Sequence, residues 1–488
     1  MRRGLIWIVG ALVAGAVAWS AGWFIGRSAV TDRIATAAQE LDARGWTLTI
    51  GSQSVGGFPL DYVVELTDVG LIQGDTGMLV RVPKAVIRRG EGEMLHADLP
   101  DGATIDLPQS TARVQADPSL PPVYRVRLTG EGIAMRVPEA DPAARGELLA
   151  TSAALTLEQE YRGHQMAADF AEARLSWEPD ADAIDLTAGS IAVRSSGQTD
   201  GGPRVALTIS AEQAELGYVS DAAFGAELRE LLYASGAGAM ELGYRMDTLM
   251  VEMDVTDDPQ GMDGQYRIRS GAAEGLIGVT SGLLDIEAGT GVNTWTWQGP
   301  EQPAVTLTAA ETSLRIAGPL SPTTTPQPGQ LRVAVTDLTA DDAFWAAFDP
   351  GTALARDPAD LNVAIDGTVR LMARIDLLPP SIAPPYEISN LMIEEVALQA
   401  LGATARATGD VEILQPVVVP TGQISVEASG VRAVAADLRE AGLISPEMIT
   451  TLNAILEVFA RPGDGEDAWV TEVEMGQEGL RVNGQPLQ

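Results

Sequence analysis

Few residues of this 488-residue sequence have both the type and the spacing that chemistry requires. Two histidines are present, His96 and His164, 68 positions apart on strand-like segments, so they read as surface or strand histidines rather than a metal or catalytic pair. Cysteine is absent, which excludes thiolate zinc sites, disulfide frameworks and cysteine nucleophiles. No G-x-S-x-G elbow, Walker loop, G-x-G-x-x-G fingerprint or H-E-x-x-H pair occurs. Asp180, Asp182 and Asp185 alternate as the carboxylates of a calcium loop do, but the loop's glycine and distal glutamate are missing. That segment and Gly463–Asp467 therefore read as acidic turns. Trp295 and Trp297 share one face of a strand and could stack on a sugar or an acyl chain; packing at the core or its rim is the plainer reading. With 67 carboxylates, spacing selects no glycosidase dyad. The residues thus specify no catalytic centre, no metal site and no cofactor.

What must carry any function is the architecture, and composition bounds it. There are 67 acidic against 32 basic residues, a net charge of −35, and Lys84 is the single lysine. Apolar residues make up 45%, enough for a sizeable core and too many for a disordered acidic tail. Nucleic acid is excluded as a main partner, because polyphosphate binding needs a basic surface.

Leu5 to Ile25 is a run of 21 residues without a charge. As a helix it spans about 30 Å, the thickness of a bilayer's hydrocarbon core. Trp7, Trp19 and Trp23 lie near its ends, where indoles favour the interface, and Arg2 and Arg3 precede it. The positive-inside rule then keeps the N-terminus cytoplasmic and exports the body. Residues 1–27 are the expected anchor, carrying three arginines and no acid, which leaves −38 for residues 28–488. A cleaved signal peptide is the alternative, with Ala16-Val17-Ala18 as a cleavage site and secretion to the periplasm as the outcome.

Beyond the anchor, residues 31–43 have helical spacing, with Ile34, Ala37, Ala38 and Leu41 on one stripe and Gly45 as a stop. From Trp46 onward a two-residue alternation of apolar and polar side chains dominates, as in 46–50, 123–128, 173–177, 205–209, 305–308 and 369–375. Asp101-Gly102, Asp263-Gly264 and Asp366-Gly367 read as turns. About twenty such segments predict a mainly β protein, with large antiparallel curved sheets that are dry on one face and wet on the other. Short helices are expected at 221–234, 341–348 and 445–460, the last with Ser445 as N-cap and Pro446 at its first position, and a further one within 423–442. Seams are expected near 321–330 and 379–386.

The order of elements carries a resemblance. After the helix come Arg44-Gly45-Trp46, a strand, Gly56-Gly57-Phe58-Pro59, and a strand ending in Leu66-Thr67-Asp68. Near the C-terminus follow Gly422-Gln423-Ile424-Ser425-Val426, a helix, Gly442-Leu443-Ile444-Ser445-Pro446, a long helix and a final hairpin through Asn483-Gly484. This resembles the DUF2125 family of alphaproteobacterial envelope proteins, and distantly the AsmA-like group of anchored periplasmic β-proteins. The resemblance implies a single-pass inner-membrane protein with a periplasmic body of unknown function. The AsmA-like likeness implies lipid handling, at the level of fold only. Gly57, Phe58 and Pro59, the family motif, have a structural reading as a tight turn, a core plug and a ladder stop. The expected function is a non-enzymatic envelope protein that binds or conducts a lipid or other amphiphile in a sheet-lined groove. An envelope scaffold with a packed β-core and protein partners is the alternative, and a cell-wall or polysaccharide hydrolase a remote one. The expected partners are the membrane, through the N-terminal helix, and lipid or envelope proteins.

Overall fold

Long strands that change phase halfway along define this protein. The computed structural model describes residues 31–486, apart from residues 37, 40, 44, 58–61, 75–76, 91–93, 109–122, 139–144, 159–164, 179–182, 199–201, 221–238, 260, 374–385 and 415–418. The expected anchor, the helix at 221–234 and the segment at 379–385 lie outside the described residues. Among the described residues no helix is long and apolar enough to cross a membrane. The chain divides into two units, 1–180 with 184–208, and 181–183 with 209–488.

The first unit opens with helix α1 (31–43), whose Ile34, Ala38 and Leu41 are half-buried on one stripe while Gly45, at φ 81°, ends it as expected. Antiparallel strands β1 (Trp46–Gly56), β2 (Val63–Gln73) and β3 (Leu79–Arg89) follow. Next come β4 (Met94–Asp98), β5 (Ala103–Pro108), β6 (Val123–Glu131), β7 (Ala134–Pro138), β8 (Gly146–Leu157), β9 (Gln165–Glu178) and β10 (Ala183–Gln198). The core gathers Val55, Val64, Leu66, Ala85, Leu99 and Ile133, and Ile34 of α1 packs on it. Ile50, Val69 and Val82 form one register row; Leu66 and Ala85, opposite the polar Gln53, form the next. The step between rows is three residues instead of two on every strand. Asp68, at φ 51°, takes the left-handed conformation at that step, and a Cβ on the facing Gly51 would lie 2.9 Å from its Cβ. The extra residue keeps the apolar side chains on one face while the sheet bends.

The second unit uses the same device on a larger scale. β11 (Arg204–Ser220) leads into it. β12 (Ala239–Met246) runs on into β13 (Thr248–Thr256), β14 (Gly264–Ser270) into β15 (Ala273–Thr280), β16 (Leu283–Thr290) into β17 (Asn293–Gln298), and β18 (Val305–Ala309) into β19 (Glu311–Pro319). One limb pairs β12–β15–β16–β19 and the other β13–β14–β17–β18; both meet β20 (Gln327–Ala340). A crease separates the limbs at Asp247, Gly271–Ala272, Gly291–Val292, Ala310 and Asp337. It is stitched by Gly271 N to Val292 O and Gly291 N to Ala272 O, both 2.8 Å, and by Ala310 N to Thr336 O, 2.9 Å. Small buried side chains line it: Ala214, Ala273 and Ala309. At its centre Asn293, 2% exposed, donates to Thr290 Oγ1, Gly291 O (2.9 Å) and Thr312 Oγ1 (3.0 Å), and accepts from Ser270 Oγ.

The meander continues through helix α2 (Asp342–Phe348), β21 (Ala359–Leu371), β22 (Tyr386–Ala400), β23 (Ala403–Leu414) and β24 (Val419–Ser429). Helices α3 (Val431–Glu440) and α4 (Pro446–Phe459) are inserted before β25 (Arg461–Pro462), β26 (Ala468–Gly476), β27 (Gly479–Val482) and β28 (Gln485–Pro486). Ser445 caps α4 and Pro446 opens it, as the sequence dictates. Two readings are corrected. Asp366-Gly367 lies inside β21, where Gly367 lets the backbone of the bulged β22 come close: a Cβ there would sit 3.0 Å from Asn390 O. The strand read over 369–375 ends at Leu371, which is fully buried. By contrast Gly102 closes a turn, donating to Leu99 O, and holds φ 66°.

Candidate functional site

The residues singled out for chemistry stay apart. Leu5, Trp7, Trp19, Trp23, Ile25, Arg2, Arg3, Phe58, Pro59 and His164 lie outside the described residues. Gly57 follows β1 at φ 90°, a left-handed position suited to glycine. Arg136 Nε donates to His96 Nδ1 (3.3 Å), which assigns the ring proton to Nε2, and Nε2 donates to Asp98 Oδ1 (2.9 Å). His96 is thus one link in a hydrogen-bonded chain from Arg136 to Asp98. Among the described residues no group of three histidines or carboxylates could hold a metal. The turn at 463–467 has a different use: Asp467 Oδ2 accepts from Arg432 N (2.8 Å) and Ala433 N (3.3 Å), capping α3 from 35 residues away. Trp295 and Trp297 pair with Leu307 and Val305 on the far limb of the second unit, on the apolar side of the strand.

What the structure does bring together is a face. Cross-strand partners share one side of a sheet, so register alone traces it. One row runs Tyr218, Leu242, Ile277, Ile286, Ile316, Leu331. It continues through Ile365, Ile393, Gly409, Ile424, Val473 and Val482. Twelve strands contribute and no polar side chain interrupts. At about 4.8 Å per strand the row is about 50 Å long. A parallel row includes Ala288, Leu314, Val333, Val363, Val396 and Val426. Bulges keep both rows intact on β22, where Glu394 and Glu395 both sit between Ile393 and Val396. Tyr244 lies over Gly275, a Cβ on which would be 2.5 Å from the ring, and burial pushes the phenol's pKa up.

These side chains are not packed away. Leu314, Ile316, Leu331 and Leu398 remain 36%, 39%, 37% and 48% exposed, and the large apolar side chains below 2% exposure are two, Leu371 and Val279, among the described residues. Among the described residues, helices cover this face at one end. The Arg432 guanidinium stands 4.3 Å over the Trp469 ring and Thr471 Oγ1 donates to Phe459 O, so α3 and α4 lie on the apolar side of β26. Helix α4 itself buries no residue, and Met448, Ile455 and Val458 are exposed.

The opposite face is charged and crossed by ion pairs. Arg315 binds Asp285 (2.9 Å), Arg406 binds Glu395 (3.0 Å), and Arg332 bridges Asp366 (2.8 Å) and Glu394 (3.0 Å). The hydrogen bond from Arg332 is the main reason Asp366 titrates below the ordinary carboxylate range, while the adjacent Asp366 pushes Glu394 up. A groove of about 920 Å³ includes Asn362, Arg406, Thr404 and Ser429, but these already bond to Glu395 or to each other. Among the described residues the apolar face is thus an extended surface whose side chains are left partly open.

No curated protein and no solved structure matches the chain. The model of a family described as an uncharacterized protein conserved in bacteria matches residues 23–294 and 283–477. That match spans most of the sequence and confirms the resemblance drawn from Gly57-Phe58-Pro59 and the C-terminal helices: the chain belongs to the DUF2125 family.

Proposed function

We propose that the protein is a non-enzymatic envelope protein, held in the inner membrane by residues 5–25, whose second unit binds an amphiphile by its apolar chain. One observation carries this reading: a row of apolar side chains crosses twelve strands and is left partly open. Soluble monomers rarely leave so large a contiguous apolar surface without use. Burying apolar area yields about 25 cal/mol per Å², so a few hundred Å² of chain contact supports specific binding. A row about 50 Å long exceeds the roughly 30 Å of a bilayer's hydrocarbon core, so a whole acyl chain fits along it. The scaffold reading needs a closed, packed core, and the half-exposed rows weigh against it. Lipid extraction and native mass spectrometry of the full chain test the proposal. A bound amphiphile is expected, reduced at least tenfold by Ile365→Asp in the middle of the row and retained by Gln423→Glu on the charged face. Protein that carries no amphiphile from any lipid mixture refutes it.

A further inference from the structure

We propose that the first unit pairs edge to edge with a second copy of this chain, β1 against β1 in antiparallel register. The surface is a strand edge of the first unit and is independent of the amphiphile reading. Among the described residues β1 pairs with β2 alone, and no backbone group of 46–56 has a hydrogen-bond partner on its other side. Half the N–H and C=O groups of an antiparallel strand point away from a given neighbour, so the eleven residues of β1 leave a row of them open. Such a row is a template for another strand, and folded proteins blunt it with charge, proline, short length or a cover. Trp46–Gly56 holds neither a charge nor a proline, whereas every other described strand of eleven residues or more carries a charged side chain. The C-terminal edge of the second unit is treated differently. Its outermost strands, β25 and β28, are two residues long, and each contains a proline, Pro462 and Pro486. The step at Gly51 recurs on β2 and β3, so it bends the sheet without turning the β1 edge away.

The chemistry of this edge fits a copy of itself. Residues 209–488 hold 41 of the chain's 67 acidic residues but only 14 of its 32 basic ones, a net charge of −27 against −8 for residues 1–208. Two copies therefore meet least repulsion through the first unit. Uncharged β1 strands add no like-charge pair of their own across the joint. The pattern along β1 also selects a register. Its three-residue step puts Leu48, Ile50, Gln53 and Val55 on one face and Thr47, Thr49, Ser52 and Ser54 on the other. Residues opposite each other in an antiparallel pair share a face. A two-fold axis between Gly51 and Ser52 superposes the steps of the two copies, as those of β1 and β2 are superposed already. It sets Leu48 against Val55 and Ile50 against Gln53 on one face, and exposed Thr49 against exposed Ser54 on the other. Both faces of the sheet then continue from one copy into the next.

Sedimentation of the full chain in dodecyl maltoside micelles tests this, because the neutral detergent masks exposed apolar side chains and leaves edge pairing to be read. Wild-type protein is expected to carry two chains per particle at micromolar concentration, at low ionic strength and at about 0.5 M salt alike. The double variant Thr49→Lys, Ser54→Lys sets lysine against lysine twice across the axis and is expected to weaken the dimer at least about tenfold at low salt. Thr49→Glu with Ser54→Lys sets opposite charges there and is expected to restore the dimer, which also shows that substitution at these two exposed positions leaves the unit folded. A wild-type chain that stays single at every concentration overturns the proposal, and so does a dimer that the two lysines leave intact. Loss of the dimer in both double variants overturns the pairing of Thr49 with Ser54, and the proposal with it. None of these results bears on the amphiphile reading, whose test is bound lipid.

Discussion

Asn293 is the point at which the crease of the second unit can be broken. Its amide shares two N–H groups among Thr290 Oγ1, Gly291 O and Thr312 Oγ1, and its carbonyl accepts from Ser270. Asn293→Ala removes four interactions, each with a net value of about 1 kcal/mol, and leaves the buried Ser270 hydroxyl without its partner. The loss should reach about 4 kcal/mol, at the upper edge of single-residue effects. For a unit of this size that corresponds to a fall in Tm of about 8–16 °C. Ser270→Ala deletes one of the four and leaves Asn293 Oδ1 unmatched, so it should cost about 1–2 kcal/mol. Differential scanning calorimetry reads both, and hydrogen exchange over 264–298 assigns the transition to this unit. If Asn293→Ala costs less than about 1 kcal/mol, or no more than Ser270→Ala, the network does not pin the crease and the reasoning fails.

Two further outcomes follow from the same kind of accounting. Asp467→Ala should release the first turn of α3, since Asp467 caps it at 2.8 and 3.3 Å and also accepts from Trp469 Nε1 at 2.9 Å; the cost is about 2 kcal/mol, read as lost exchange protection over 431–440, with Asp467→Asn milder. In the first unit, the hydrogen bond from Arg125, opposed by burial and helped by the charges of Arg125 and Arg81, holds the Asp106 carboxyl below its ordinary range. A depressed folded value means stabilisation that is complete above the unfolded carboxylate range, about 3.9, and lost as pH falls through the folded value. Acid unfolding should therefore steepen below about pH 4 in the native protein and flatten in Asp106→Asn, which is also less stable at neutral pH; parallel acid limbs for the two would contradict this.

The class of the fold was legible because alternation is a local property. Thr47, Leu48, Thr49 and Ile50 announce a half-buried strand without reference to anything distant. Helix ends were legible for the same reason, as Gly45, Ser445 and Pro446 act within one turn. The apolar face was harder to read, yet its signal is present. Met240, Leu242, Tyr244 and Met246 alternate, the pattern slips by one at Asp247-Thr248, and Leu249, Val251 and Met253 resume it. Read on one strand the slip looks like the end of an element, and it does split the β12–β13 run in two. Only the recurrence of the slip at Gly271, Gly291, Ala310 and Asp337 on neighbouring strands makes it a crease, and neighbourhood is what a sequence does not show. Asp467 was missed for a related reason: its partners on α3 lie 35 residues upstream, and an acidic Gly-Asp-Gly-Glu-Asp run looks like any solvated turn.

Charge and apolar surface bear on one another in the second unit. An open apolar face about 50 Å long would pair with its own copy if nothing opposed it, since antiparallel sheets stack readily through dry faces. A ligand that comes and goes leaves such a face bare for part of the time. Concentrating −27 in this unit, with nine of its 14 arginines ion-paired among the described residues, sets a long-range repulsion against that encounter while leaving short-range contacts to a slender amphiphile unaffected. The repulsion acts over a Debye length, about 8 Å at physiological ionic strength, so it weakens as salt rises. Self-association in concentrated salt, reversed by an added neutral amphiphile, is the behaviour this arrangement requires. A protein that stays monomeric at every ionic strength, with or without amphiphile, would mean that the face is already satisfied and that its acidity has another origin.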